Sequence, residues 1–347
     1  MYLKNKSTQN DNEKKIYSLK FSKVLIKDLY IDYCLDNIFC LFKSIYNILY
    51  LIYSNENLSI ISYDLIDNKI INEIKNAHDA FITNFRHFLD KKNKIDLVIS
   101  ISAEINNIKL WNINNWICIL NLEYINYRGY LFSSCFLKDK NKIYILTSNV
   151  FTTPESIKVY DFKGQKINEI NESNELTYFI DTYYEINEKN KLSDIYIITG
   201  NNGFIKSFNY NENKIYHKYI DNENNKKSGR CSVIIYRDNF NKVKLIESSF
   251  DGHIRIWNFH SGLLFNKINI ESVSLYGIEL WNEEYLFIGC RDKKIRVLEL
   301  KSGKIIIDLT DNNRILTVKI FEHPQYRECL ISQGYEYGDI KLWILDN

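Results

Sequence analysis

The sequence has almost no net charge with which to attract a polyanion. Lys and Arg total 45 and Asp and Glu total 43 among 347 residues, which leaves a formal net charge of +2. Without an overall electrostatic field, the chain is not expected to be a dedicated binder of nucleic acid or of a membrane surface. Hydrophobic residues make up 45% of the chain, which is enough to bury a large core and argues against wholesale disorder.

Glycine and proline are scarce. The chain contains 12 Gly and 2 Pro, so Asn is expected to take many turn positions, because it tolerates a positive φ. The abundance of Asn, Lys, Ile and Tyr is attributed to A/T-rich codons. Loops rich in Asn and Lys, such as Asp221–Lys227, are therefore not interpreted as binding motifs.

Cysteines with metal-binding or disulfide spacing are absent. The number of cysteines is odd, and no two of them are spaced C-x-x-C. Most lie in apolar, strand-like runs, where a free thiol behaves as a small hydrophobic side chain. This usage favours a reducing compartment, taken as the cytoplasm with the nucleus left open, and predicts neither disulfides nor a zinc site. The seven cysteines are Cys34, Cys40, Cys118, Cys135, Cys231, Cys290 and Cys329.

Targeting and membrane-spanning segments are not expected either. Residues 1–15 are polar and charged, which does not fit a signal peptide. The most apolar stretch, Ile38–Tyr53, is interrupted by Lys43 and Asn47. It falls short of the roughly 18 apolar residues of a spanning helix and is interpreted as two adjacent strands.

Local catalytic motifs are also missing. None of the six histidines belongs to an H-E-x-x-H or paired Cys/His pattern. No segment reads G-x-S-x-G, G-x-x-x-x-G-K-S/T or G-x-G-x-x-G, so nucleophilic, phosphate-binding and dinucleotide chemistry lack their usual signatures. No catalytic residue, cofactor or metal ligand is predicted. An enzyme whose catalytic residues come from distant segments remains a remote alternative.

One short pattern recurs through almost the whole chain: Ile, a basic residue, an apolar or small residue, a bulky residue, then often Asn or Asp. The bulky positions are separated by 48, 49, 48, 49, 41 and 45 residues. A period this regular is typical of repeat folds. The copies lie near residues 60–65, 108–113, 157–162, 205–210, 254–259, 295–300 and 340–345, and the first copy is weaker.

Each repeat contains signals for four strands, shown most clearly by the fifth. Asp251-Gly252 is a tight hairpin signal, and the strands are nearly continuously apolar, as in sheets covered on both faces. The chain is therefore predicted to be all-β, a seven-bladed β-propeller with four-stranded antiparallel blades. The strands predicted in the fifth unit are Cys231–Arg237, Val243–Ser249, His253–Phe259 and Leu263–Ile270.

The first segment of the chain could supply the strand that the last repeat lacks. The last repeat stops after its third strand, whereas the strand-like segment Ile16–Leu29 precedes the first strand of the first unit. We expect this N-terminal strand to complete the last blade, which would close the ring and remove an exposed sheet edge. The predicted organisation is a polar tail at residues 1–14 and one propeller at residues 15–347.

The recurring basic residue is predicted to lie at the rim of each blade. Its long stem could cross the sheet while the charge stays in water. Cations spread around a ring in this way would not form a binding patch.

The repeats resemble those of the WD-repeat family. Ser248–Asn258 is the best match, Ala77-His78-Asp79 is similar to the Gly-His start of a repeat, and Ile108–Asn112 is similar to its Trp-Asp end. The resemblance covers about residues 16–346 and implies a brace in each blade made of a loop His, a strand Ser, a turn Asp and a Trp. No blade has all four, which marks a divergent member. The residues assigned to such structural roles are His78, Trp111, Ser249, Asp251, Trp257 and Trp343.

The resemblance also implies a function. WD-repeat proteins commonly bind peptides or domains on the face that gathers the loops between second and third strands and the connections between blades. The chain is therefore expected to be a non-catalytic interaction scaffold, a monomeric propeller inside a larger assembly, with no cofactor. Tyr and Arg often anchor interfaces. The candidate contact residues on that face are Tyr127, Arg128, Arg230, Phe250, Arg291, Arg314, Tyr335 and Tyr337.

An alternative is a propeller that binds nucleic acid or anionic lipid through a local basic patch. The paired-arginine Phe-Arg-Arg-Gly motif of phosphoinositide-binding propellers is absent.

Trp257 provides a test of the blade assignment. Replacing it with Ala is expected to lower the free energy of unfolding by roughly 3–5 kcal/mol, because the change removes a large buried side chain and leaves a cavity. Denaturant melts of both proteins measure this difference. A loss below about 1 kcal/mol would mean that the indole is exposed.

Overall fold

The strands close into a ring of seven sheets. The computed structural model describes residues 19–29, 38–102, 107–123, 130–150, 156–171, 177–187, 192–221, 228–270, 274–335 and 338–345. These residues form seven four-stranded antiparallel sheets, so the prediction of a seven-bladed β-propeller is confirmed. No helix in this part of the chain is long and apolar enough to cross a membrane.

Blades one to six each use four consecutive strands, and the last blade combines both ends of the chain. The strands of blades one to three are β2 (Cys40–Lys43), β3 (Leu49–Ser54), β4 (Ile60–Asp64), β5 (Lys69–Ile74), β6 (Ile82–Asp90), β7 (Ile95–Ser102), β8 (Asn107–Asn112), β9 (Ile117–Glu123), β10 (Tyr130–Asp139), β11 (Lys142–Val150), β12 (Ser156–Tyr160) and β13 (Lys166–Asn171).

Blades four to seven follow in the same order. Their strands are β14 (Thr177–Ile186), β15 (Leu192–Asn201), β16 (Phe204–Asn209), β17 (Lys214–Ile220), β18 (Arg230–Arg237), β19 (Val243–Ser249), β20 (His253–Asn258), β21 (Leu264–Asn269), β22 (Leu275–Trp281), β23 (Tyr285–Cys290), β24 (Lys294–Glu299), β25 (Lys304–Thr310), β26 (Ile315–His323), β27 (Arg327–Gly334) and β28 (Gly338–Leu345), with β1 (Leu19–Leu29) completing blade seven.

The turn chemistry follows the composition. The hairpin between β19 and β20 places Gly252 at a φ of 80°, as the Asp-Gly signal predicted. Asn takes the left-handed conformation in several other turns, as its tolerance of a positive φ predicted. The Asn residues with positive φ are Asn47, Asn68, Asn76, Asn213, Asn241 and Asn282.

The N-terminal strand completes the last blade, as predicted. Strand β1 runs antiparallel to β28, with Leu19 opposite Leu345 and Phe21 opposite Trp343. The rings of Phe21 and Trp343 meet edge to face at 5.5 Å. Residues 1–18 lie outside the described residues, so the boundary of the predicted polar tail stays a prediction.

The hydrophobic core lies between blades. One cluster joins Leu51 and Ile61 of blade one to Leu316, Ile331 and Ile340 of blade seven, all of them buried. The first and last blades of the chain are therefore held together by apolar packing as well as by the shared sheet.

The ring has two faces that differ in the loops they carry. The upper face carries the turns between second and third strands and the connections between blades. The lower face carries the turns between first and second strands and between third and fourth strands. The first strands of neighbouring blades contact one another, so they surround the centre of the ring. Residues at their upper ends lie around its upper mouth.

Five of the six recurring basic residues are buried, so the prediction that their charges lie in water was wrong for these five. The ammonium of Lys341 lies 2.7 Å from Asp311 of the connection leaving blade six, and Lys109 donates to the Ala77 carbonyl at 2.7 Å. Both cations bind groups in the connection from the preceding blade, whereas Arg296 binds Asp292 of its own blade at 2.8 Å. The buried members are Lys158, Lys206, Arg255, Arg296 and Lys341.

Deleting residues 1–29 is expected to destabilise the whole ring, because it uncovers the edge of β28 and the packed face of Trp343. The melting temperature should fall by about 5 °C or more. Deletion of residues 1–14, the predicted polar tail, is the control and should leave the melting temperature nearly unchanged. Equal melting temperatures for the two deletions would contradict closure through β1.

Candidate functional site

A run of aromatic side chains crosses the upper face. Phe250, in the turn between β19 and β20, meets Tyr178 of blade four at 6.3 Å between ring centroids and Tyr276 of blade six at 5.7 Å. Both contacts are edge to face, the geometry that aromatic quadrupoles favour. Phe250 is half-buried, so the ring is both packed and accessible.

Two arginines extend this run toward blade seven. The guanidinium of Arg314 lies 5.7 Å from the ring centroid of Tyr335, a cation–π contact. Arg291 and Arg314 are exposed. Burial raises the pKa of Tyr276, and the positive charges of Arg291 and Arg314 lower it. We call the set Tyr178, Phe250, Tyr276, Arg314 and Tyr335 the aromatic arc.

Two members of the arc were not predicted from the sequence. Tyr178 and Tyr276 are the second residues of β14 and β22, and each lies at a break in the register with the next strand. Such a bulge bends the strand and redirects a side chain. An alignment of the repeats on their first strands would have placed both tyrosines at the same position. The bulge that directs them to the upper face has no clear signal in the sequence.

Arg230, a predicted contact residue, is instead buried, with 2% of its surface exposed. It donates to the carbonyl of Gly203 in blade four at 2.8 Å, and its Nε lies 3.2 Å from Glu247. Arg230 therefore links two blades, and the prediction that it meets a partner is corrected. The candidates Tyr127, Arg128 and Tyr337 lie outside the described residues.

Two blades contain a hydrogen-bonded brace. In blade two the indole N–H of Trp111 donates to Ser100 at 2.8 Å, and Ser100 lies 2.7 Å from Nε2 of His78. Burial, helped by the charge of Lys109, lowers the pKa of His78 to about 3. The imidazole is therefore neutral and can accept the hydroxyl proton. In blade seven Trp343 donates to Ser332 at 2.8 Å.

Blade five carries a carboxylate at the position of the brace serine. Ser100 and Ser332 each lie two residues beyond the residue paired with the Trp, and in blade five that position is Glu247. Ser249, the predicted brace residue, lies further along the strand and donates to Asp251. Trp257 is 1% exposed and packs edge to face on Tyr219 at 5.9 Å.

Arg255 lies at the centre of the resulting charged network. Its Nε donates to Asp221 at 2.9 Å, and its two terminal nitrogens donate to Ser249 at 2.9 Å and Asp251 at 2.6 Å. Glu247 lies 3.5 Å from the same guanidinium. Because Asp221 directly follows the last strand of blade four, the network fixes blade five against blade four.

Burial dominates the titration of Glu247. It raises the pKa of this carboxyl to about 7, although the charges of Arg230 and Arg255 lower it. Burial also acts to raise the pKa of Asp251, but hydrogen bonds from Arg255 and Ser249 bring it well below its usual range. Asp251 therefore stays ionised, whereas Glu247 titrates near neutral pH.

Metal-binding side chains are not grouped in the described part of the ring. No cluster of three or more His, Cys, Asp or Glu there could hold a metal ion. Burial raises the pKa of the Cys40 thiol to about 12, so it is protonated at neutral pH and a poor nucleophile.

The fold and the braces define a seven-bladed β-propeller with WD-like features. No protein-family model matches the chain. The U3 small nucleolar RNA-associated protein 21 homolog of Schizosaccharomyces pombe is 25% identical over 118 residues, which is 34% of this chain and 13% of that protein. The chain thus matches about one eighth of its relative's length. The ring and this similarity together support a WD-repeat-like propeller.

The pH dependence of stability tests the Glu247 environment. When folding raises the pKa of a carboxyl, that group stabilises the folded state most at a pH below its pKa in the unfolded chain. For Glu247 this stabilisation is lost as the pH rises toward 7. Compared with Glu247→Gln, which stays neutral, the wild-type chain should lose up to about 3 kcal/mol of unfolding free energy between pH 4.5 and 7.5. Urea melts across this range measure the difference.

The exposed Glu56→Gln substitution is the control, and its difference from wild type should not follow that trend. If the wild-type chain instead gains stability over Glu247→Gln as pH rises, the arginines dominate and the pKa of Glu247 lies below its ordinary value.

Proposed function

We propose that the chain is a non-catalytic scaffold, a divergent WD-repeat propeller that binds a protein partner through the aromatic arc within a larger assembly. The observation that carries this proposal is the arc itself, five aromatic and arginine residues from four blades around the upper mouth of the ring. The few residues that carry most of the binding energy of protein interfaces are enriched in Tyr and Arg. The closed ring holds them rigidly, which reduces the entropy lost on binding.

The electrostatics favour a protein partner over a polyanion. The net charge is only +2, and the cations of the third strands are mostly buried in contacts within the ring. Arg291 and Arg314 are exposed on the upper face, and they suit carboxylates or a carbonyl-rich loop of a partner. Binding of RNA or anionic lipid by the same arginines would be distinguished by its steep dependence on salt.

The assembly and its location are part of the proposal. The relative's name associates that protein with the U3 small nucleolar RNA, and we propose that this chain likewise serves an assembly containing RNA. The sequence favoured the cytoplasm and left the nucleus open, and the similarity supports the nuclear alternative.

Charge reversal on the upper face tests the function. The tagged full-length chain would be purified from its native source together with its partners, and the complex would then be cross-linked. Lys293 is exposed two residues from Arg291, so cross-links from its amine would show that a partner lies on this face. We expect near-stoichiometric partner recovery and cross-links from Lys293. The double variant Arg291→Glu and Arg314→Glu should lower recovery about tenfold, because it opposes the charge of the partner surface.

The matched control is Lys140→Glu with Lys142→Glu, two exposed lysines on the lower face of blade three, which should leave recovery unchanged. Recovery of the monomer alone under gentle salt, or a partner that both double variants retain equally, would refute the scaffold role of this face.

A further inference from the structure

The lower face of blade five exposes apolar side chains that the fold does not require. Phe240, Leu263 and Phe265 are 83%, 69% and 69% exposed, more than any other large apolar side chain in the described residues. Phe240 lies in the turn between β18 and β19, and the other two lie where β21 begins. Contiguous exposed apolar patches rimmed by polar residues mark interaction sites.

A turn of blade three with the same hydrogen bonds shows that an aromatic residue is not needed at the position of Phe240. In blade five the carboxylate of Asp238 accepts the backbone N–H of Phe240 at 2.9 Å. In blade three, the turn between β12 and β13 makes the same hydrogen bonds, and there Asp161 accepts the backbone N–H of Lys163 at 2.9 Å. The turn therefore forms equally with a lysine, and the exposed phenyl ring adds nothing to its geometry.

Phe240 and Phe265 line a surface groove with a volume of about 280 Å³. Its other lining residues are Asp238, Lys242, Lys244 and Asn258. The ammonium of Lys244 lies 4.9 Å from the ring centroid of Phe265. The groove thus combines two accessible rings with two cations.

The charges of the groove are unbalanced. Asp238 lies 3.0 Å from Lys244 and accepts the backbone N–H of Lys242 at 2.9 Å, so its charge is already compensated. Lys242 is exposed and has no ion-pair partner among the described residues. The charge of Lys242, beside the rings of Phe240 and Phe265, is therefore not paired with a carboxylate of these residues.

We propose that this groove docks an acidic segment of a partner protein, which inserts one apolar side chain between Phe240 and Phe265 and places a carboxylate near Lys242. The apolar insertion supplies the affinity, and the charge complementarity sets the orientation. The site lies on the face opposite the aromatic arc, so it is a second docking surface whose test does not depend on the function proposed above.

A phage-displayed library of random 12-residue peptides, selected against the full chain, tests the groove directly. We expect enriched peptides to carry Asp or Glu around one or two large apolar residues. Their affinity, measured by fluorescence anisotropy, should weaken as salt rises, because exposed charges are screened.

Matched variants locate the binding. Phe240→Ser and Lys242→Glu should each weaken the enriched peptides about tenfold. Tyr46→Ser, which removes the 65% exposed aromatic residue from the corresponding turn of blade one, and Lys92→Glu in blade two should leave the affinity unchanged. Melting temperatures equal to wild type would show that all four variants fold.

The proposal is overturned if no peptide is enriched, if enriched peptides lack acidic residues, or if Phe240→Ser binds them as tightly as wild type. Sedimentation that shows a dimer lost in Phe240→Ser would assign the groove to a second copy of the chain and also overturn it.

Discussion

The pairing of β1 with β28 is the constraint on which the rest of the ring depends. Each blade buries both faces of its sheet against neighbours, so an open ring would leave two sheets uncovered. The strand from the start of the chain supplies the fourth strand of blade seven and covers Trp343. With that blade complete, blades one and seven share the cluster that contains Leu51 and Ile331. The ring then has no open end between its first and last blades.

Buried charge fixes how neighbouring blades are oriented. An apolar interface resists separation but permits sliding, whereas Arg255 must satisfy Asp221, Ser249 and Asp251 at fixed distances. Such contacts are costly to break, because a buried charge that loses its partner would lie unpaired in a medium of low dielectric constant. Lys341 with Asp311 provides a similar constraint between blades six and seven. The aromatic arc spans blades four to seven, and its geometry depends on these orientations.

The two candidate surfaces differ in how the fold presents them. Tyr178 and Tyr276 reach the upper face through bulges at the ends of first strands, and they pack against other rings. Phe240 reaches the lower face from the tip of a turn and is mostly exposed. The upper surface is thus rigid and partly buried before a partner binds, while the lower groove offers uncovered rings beside an unpaired lysine.

The sequence by itself determined the number of blades, the order of their strands and the closure by the N-terminal strand. Those features depend on a period near 47 residues, on turn residues such as Asp251-Gly252 and on one surplus strand, all of which are local. Only the tertiary structure decided which charged and aromatic residues face solvent. Arg230 and Arg291 each lie at the upper end of a blade strand, yet one is buried against Gly203 and the other is exposed. The difference arises from the neighbouring blade, because burial at a blade edge depends on residues distant in the chain.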